Sequence, residues 1–212
     1  MKLVAALLAA ALSAAVPPAL AGSLEATVAT PAGKPAEDSA VVLEALAAAP
    51  PRTRPPAPAI EQRDREFRPY LTIVQTGTAV EFPNRDPFKH HVYSFSPAKV
   101  FEIKLYAGKP AQPVIFDKAG EVALGCNIHD WMEAYVLVVN TRHFAKTDAA
   151  GHALISDVPP GRYRLQVWHP RQKAAFASRE IEIGTAPLKL DLVMNIAPRI
   201  VKAKPPIDSD QY

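Results

Sequence analysis

The chain has 212 residues, 49% of them hydrophobic and 21% charged, with a net charge of only +3. That length supplies one large domain or two small ones, each able to bury a core. Basic residues are interspersed with acidic ones rather than gathered into runs, which argues against nucleic acid as a partner. A single cysteine rules out any disulfide within the chain.

At the N-terminus, Lys2 precedes an apolar Ala/Leu/Val run to Val16, followed by Pro17-Pro18 and Ala19-Leu20-Ala21 ahead of Gly22. The run is too short to span a bilayer, and small residues at 19 and 21 suit a signal peptidase. Residues 1–21 are therefore expected to be a signal peptide cleaved after Ala21. The mature protein is expected to be exported to the periplasm, without membrane insertion.

Beyond that point short β-rich runs alternate with Gly, Pro, Asn and Asp, and sustained helical periods are rare, so the chain reads as all-β. Strands are expected at Leu24–Val28 and Ala40–Leu46, joined as a hairpin (residues 22–46) by the turn-rich "ATPAGKPAEDS". Residues 47–59, "AAAPPRTRPPAPA", are rich in proline, which removes backbone donors and favours extended geometry; they read as a linker.

Further strands are expected at Leu71–Gln75, Ala79–Phe82, His91–Phe95, Val100–Leu105, Val114–Phe116, Glu121–Leu124 and Ala134–Val139. That supply suits one sandwich over residues 60–140. After Asn140 come a turn at Asp148–Gly151, a strand, a turn at Pro159-Pro160-Gly161, a strand through Trp168, and strands at Glu180–Ile183 and Leu188–Met194. This set is too small to stand alone, as is the N-terminal pair. Residues 22–46 and 141–195 are therefore expected to complete one smaller sandwich interrupted by the other domain. Residues 196–212 read as a disordered tail.

The chemistry concentrates in "GCNIHDWM", residues 125–132. Cys126, His129 and Met132 follow one another at intervals of three in a loop between two expected strands, so one loop can present a thiolate, an imidazole and a thioether. These soft or borderline donors suit copper in both oxidation states and suit magnesium or calcium poorly. A second imidazole stands upstream in "VEFPNRDPFKHHVYSFS", where His90-His91 opens a strand after a turn through Asn84, Asp86 and Pro87. Period-2 alternation sets His91, Tyr93 and Phe95 on one face and His90, Val92 and Ser94 on the other, so either histidine can be the ligand.

The segments from Phe82-Pro83-Asn84 to His90-His91-Val92 and from Gly125-Cys126 to Met132 resemble those of cupredoxins. The run from "EFRPYLTIVQTGTAVEFPNRD" to "WHP" resembles the cupredoxin-like methylamine utilization protein family over most of the mature chain. "GKPAEDSAVVLEA" together with "TDAAGHALISDVPPGRYRLQVWHP" resembles the transthyretin-like or carboxypeptidase-regulatory sandwich. The resemblances imply a cupredoxin Greek-key β-sandwich plus a second, smaller transthyretin-like β-sandwich. They imply one copper ion on His90, Cys126 and His129, with Met132 as a long axial ligand. Cupredoxins more often separate the histidine from the methionine by about four residues, so Glu133, a carbonyl or water are alternatives for the fourth position. A binuclear centre needs a second cysteine four residues from the first, and Val122 and Asp130 occupy those positions.

The implied function is one-electron transport by a monomer, with a periplasmic redox protein or dehydrogenase as partner. Copper delivery or maturation of a periplasmic amine dehydrogenase is an alternative, and a structural module with a vestigial site is another. No paired carboxylates, Ser/His/Asp order, Walker loop or dinucleotide fingerprint is present, so the chain is not expected to be an enzyme. Phe88 and Trp131 are candidates for an apolar collar or for plain packing. His143, His152 and His169 read as structural.

Overall fold

The computed structural model describes residues 21–47, 58–200 and 203–204. The expected signal peptide up to residue 20, linker residues 48–57, and tail residues 201–202 and 205–212 lie outside the described residues. The chain opens with β1 (Gly22–Ala29) and β2 (Ala40–Ala45). A middle block follows with β3 (Glu61–Arg63), β4 (Glu66–Arg68), β5 (Leu71–Gln75), β6 (Thr78–Val80), β7 (His90–Ser96), β8 (Lys99–Tyr106), β9 (Val114–Phe116), β10 (Gly120–Cys126) and β11 (His129–Val139). It closes with β12 (Phe144–Lys146), β13 (His152–Val158), β14 (Gly161–Trp168), β15 (Arg179–Ile183) and β16 (Pro187–Val193). The described chain is all-β, and no helix in it is long and apolar enough to cross a membrane.

The two ends of the chain build one sandwich, from a three-stranded sheet β13-β1-β16 and a four-stranded sheet β12-β2-β14-β15. Strict alternation along β1 turns Leu24, Ala26 and Val28 inward, against Leu165, Val167 and Ile183 of the other sheet. The expected hairpin of β1 with β2 is not formed, which corrects the sequence reading. β1 pairs with β13 and β16, while β2 pairs with β12 and β14. The cause lies in β2, which is buried on both faces. Val41 and Leu43 enter the core of this sandwich, and Ala40 and Val42 enter a separate cluster with Leu71, Leu137 and Val139 of the middle block. Such a strand must sit between two layers and cannot lie at the edge beside β1.

The middle block is built on a five-stranded sheet, β5-β11-β10-β7-β8. Its second layer consists of the pairs β3-β4 and β6-β9, linked by bridges Ala59↔Glu81 and Gln62↔Asn84. Phe82, Phe116, Val92, Val122 and Val136 fill the space between, together with Cys126 and Met132. β3 and β4 escape sequence reading because their turn is Asp64-Arg65, not a glycine-bearing pair. Both residues nevertheless adopt positive φ, 56° and 57°. The outer face of β5 and β11 packs on the other sandwich through Ala40, Val42, Leu71 and Val139, with Tyr135 stacked edge-on to Tyr70 at 5.5 Å.

The tail also departs from expectation where it is described. Ile196 bridges to Gln172, Ala197 N–H donates to Arg171 O at 2.8 Å, and the Arg199 guanidinium lies 4.2 Å from the Tyr70 ring centroid. Lys204 Nζ reaches Asp64 O at 2.9 Å and the Glu66 carboxylate at 2.5 Å. Backbone pairing and charge thus hold residues that composition alone marks as solvated.

His169 illustrates a histidine whose ring is fully used by the fold. It is completely buried, Nδ1 accepts from Arg171 N–H at 2.9 Å, and Nε2 donates to Glu37 O at 3.1 Å. Burial pushes its pKa down to about 4, with the Arg171 charge acting the same way. An unfolded imidazole titrates near ~6.5, so between those values the unfolded chain holds a proton that the folded chain refuses. Stability is therefore expected to fall as pH drops through that window, by about 3 kcal/mol at pH ~4. Urea unfolding of the metal-free protein and of His169→Gln across this range checks it: the variant should lose this component of the slope, and equal slopes would refute the assignment.

Candidate metal centre

Asn84, after β6, shapes the loop that leads to the site. Its Nδ2 donates to Phe88 O at 2.8 Å and Tyr106 O at 3.0 Å, and its Oδ1 accepts from Asp86 N–H at 2.9 Å. This closes the turn and starts β7 at His90. The Asp86 carboxylate then accepts three hydrogen bonds: from the amides of Asp64 at 2.7 Å and Arg65 at 2.9 Å, and from His90 Nε2 at 2.7 Å. Those two amides belong to the positive-φ turn of β3-β4, so one carboxylate holds both the turn and the imidazole. Burial alone would raise the Asp86 pKa, but the Arg65 amide, His90 and the Asp64 amide together hold it below the usual carboxylate value.

With Nε2 committed to Asp86, His90 keeps Nδ1 as its remaining nitrogen. That atom is buried and has no hydrogen-bond partner in the protein. An orphaned buried acceptor is costly, and a cation is one of the few ligands that repays it. The ligand atoms of His90, Cys126 and His129 lie within 4.8 Å of one another, with Cys126 Sγ 3.7 Å from His129 Nδ1. Donors bonded to one metal at ~2.0–2.3 Å stand about 3.5 Å apart, so a small inward movement closes the cluster on an ion. One thiol and two imidazoles, all buried, fit a soft or borderline transition metal and not a hard cation.

Burial pushes the Cys126 thiol pKa up, while the amides of His91, Ile128 and His129 pull it down. The amides favour the thiolate, the form in which a metal takes the sulfur, but burial outweighs them in the metal-free protein.

His90 is thus brought to Cys126 and His129, and its neighbour is not. His91 is buried as well, but its Nε2 bonds Glu102 at 2.8 Å and its ring stacks 5.5 Å from Tyr93. A register shift opposite β8, from His90↔Tyr106 to Val92↔Ile103, accompanies the burial of both.

Met132 depends on a second irregularity. Residues three apart on a regular strand face opposite sides. Pairing jumps from Gly125↔Glu133 to Cys126↔His129, so Asp130, Trp131 and Met132 form a bulge that suspends the alternation. His129 and Met132 are both buried, at 1% and 2% exposure, and Met132 packs in the same core cluster as Cys126.

Phe88 and Trp131 flank the histidines. The Phe88 ring lies 5.2 Å from His90 and 6.1 Å from His129, and Trp131 lies 5.0 Å from His129. Trp131 is itself fixed by Nε1–H donating to Arg65 O at 3.1 Å, with the Arg65 guanidinium 5.7 Å from its ring centroid. His143 and His169, the other buried histidines, do not join the cluster. Asp86 is the functional candidate that sequence reading passed over; its signal was its place four residues before His90.

Gly125 is required by close approach. A Cβ there would meet the Tyr93 ring at 2.8 Å. Gly125→Ala is expected to cost about 1–2 kcal/mol through overpacking. Urea unfolding of the single and double variants checks this: adding Tyr93→Ala should make the glycine substitution nearly neutral, and an unchanged cost would place the strain elsewhere.

No protein-family model matches the chain, and no curated protein matches it. Among solved structures, a copper-containing nitrite reductase from Thermus scotoductus SA-01 aligns at 21% identity over 45% of this chain and 25% of that one, with TM-score 0.38. A reduced amicyanin variant aligns at 17% identity over 49% of this chain and 100% of that one, with TM-score 0.37. A purple cupredoxin from Nitrosopumilus maritimus aligns at 20% identity over 39% of this chain and 99% of that one, with TM-score 0.35. The chain spans a quarter of the nitrite reductase.

Proposed function

We propose that this protein is an exported, cupredoxin-like carrier of single electrons in which His90 Nδ1, Cys126 Sγ and His129 would hold one copper ion, with Met132 as the candidate for a fourth, weaker donor. The observation that carries the reading is the buried cluster of one sulfur and two imidazoles within 4.8 Å. Bound copper would supply a one-electron couple. Asp86 keeps His90 in the tautomer that leaves Nδ1 as a lone-pair donor, and fixes the ring plane. Phe88 and Trp131 shield the ligands from water, which keeps the local dielectric low. We favour a carrier over an enzyme because all three clustered donors are buried, which gives a substrate no direct access to them.

Burial also favours retention over hand-over. Cys126, His129 and His90 are exposed by 3% or less, so a delivery protein would have to open its core to release the ion. We place the mature chain in the periplasm on its N-terminal sequence, and read the terminal sandwich as transthyretin-like. The partner is then a periplasmic redox protein or an amine dehydrogenase system of the methylamine utilization type. Adding Cu(II) to the purified mature protein and recording visible and EPR spectra tests the assignment. An intense thiolate-to-copper band is expected; a colourless adduct with copper on nitrogen and oxygen alone would overturn it.

A further inference from the structure

The metal centre depends on a turn that lies outside it. Asp64 and Arg65 join β3 to β4, and both adopt positive φ. At a bulky residue such as arginine that conformation persists only where the surroundings hold it. Asp86 supplies part of the hold by accepting both amides. The carbonyl side of the turn is held too, by residues distant in sequence.

Arg65 O accepts the Trp131 indole N–H at 3.1 Å, and Asp64 O accepts Lys204 Nζ at 2.9 Å. Asp64 O and Arg65 N belong to one peptide unit. Its oxygen therefore faces an ammonium and its N–H faces the Asp86 carboxylate. Both charges polarise the unit in the sense of its own dipole, so each hydrogen bond strengthens the other. Past Asp86 the path ends on His90 Nε2, at 2.7 Å. A continuous polar path thus leads from Lys204 through the 64–65 peptide and Asp86 to an imidazole of the cluster. Trp131, whose ring lies 5.0 Å from His129, is fixed to the next carbonyl of the same turn.

Neutralising local carboxylates does not by itself account for Lys204. Arg68 already lies 3.1 Å from the carboxylates of both Asp64 and Glu66. Lys204 shares Glu66, at 2.5 Å, and adds the backbone carbonyl. It also lines the hollow beside Trp131 and Met132, together with Arg199, whose guanidinium is seated 4.2 Å from the Tyr70 ring centroid.

Resting on the copper reading above, we propose that Lys204 is a positioning residue of the metal centre: by holding the 64–65 peptide unit against Asp86 it sets the orientation of His90 and Trp131, so that the C-terminal part of the chain tunes the site. The contact is partly exposed, with side-chain exposure of 30% for Lys204 and 42% for Glu66, so its effect is graded.

NMR of the 15N-labelled, metal-free mature chain tests the structural step before any metal is added. In Lys204→Gln the Arg65 amide and Trp131 indole N–H signals are expected to move upfield as their hydrogen bonds lengthen. Their hydrogen exchange should quicken by about two- to fivefold, the range that an exposed ion pair is worth. Lys204→Arg, which keeps the charge and the donors, should restore both signals. Lys109→Gln breaks a pair with Glu81 in the same domain and should move neither. On copper loading, Lys204→Gln should bind the ion about two- to fivefold more weakly than the parent, and about 0.5 M salt should remove most of that difference. Unmoved Arg65 and Trp131 signals in Lys204→Gln, equal shifts in Lys204→Arg or Lys109→Gln, or parental copper affinity despite moved signals would each overturn the proposal. Absence of a thiolate band in the parent would instead refute the copper reading.

Discussion

If the cluster holds copper as proposed, Cys126→Ser is expected to abolish the thiolate-to-copper band and to lower copper affinity by more than about a hundredfold, beyond the ~10–100-fold typical of removing a group that only supports a ligand. The reason is chemical and local. The sulfur is the sole soft anionic donor in the cluster, and a serine hydroxyl at the same place neither ionises near neutral pH nor offers a polarisable electron pair. The fold itself should survive, because serine is close in size to cysteine and its hydroxyl can both donate and accept hydrogen bonds. Competition titration against a chelator of known affinity, with circular dichroism as the control, reads both effects. A variant that folds and binds copper as tightly as the parent would remove Cys126 from the site.

Asp86→Ala is the second large effect, and it should act on metal and fold together. The substitution takes away the acceptor of the Asp64 and Arg65 amides as well as the anchor of His90 Nε2. Hydrogen bonds to a charged acceptor contribute about 1.5–3 kcal/mol each, but lost partners relax in part, so a stability loss of about 2–4 kcal/mol is expected. Copper affinity should fall about 10–100-fold, because His90 loses both its tautomer bias and its orientation. Asp86→Asn keeps one acceptor oxygen and should fall between. Urea unfolding of the metal-free proteins separates the fold effect from the metal effect. Wild-type stability and affinity in the alanine variant would show that the carboxylate supports neither.

These two residues differ in how visible they are before the fold is known. Cys126 and His129 lie in one short loop, so their spacing along the chain already implies that they meet. Short β-rich runs bounded by turn residues were equally informative for β5 and β9, whose expected and observed bounds coincide. Asp86 acts through a turn more than twenty residues upstream, at Asp64 and Arg65; aspartate tolerates positive φ but arginine does not favour it, so the pair is a weak turn signal. The carboxylate creates that turn by binding its amides, so the local sequence of β3-β4 carries little trace of it.

The sequence by itself determined the all-β character, the soft donor set and the loop that presents Cys126 and His129, because these depend on side-chain chemistry and on neighbours a few residues apart. Tertiary structure decided the rest. It parted β1 from β2 because β2 has to bury two faces at once. It chose His90 over His91 to meet the thiol, and gathered His129 and Met132 into the core through a three-residue bulge. In a strand, one slip of register exchanges the two faces, and register is set by the partner strand, whose position no local pattern encodes.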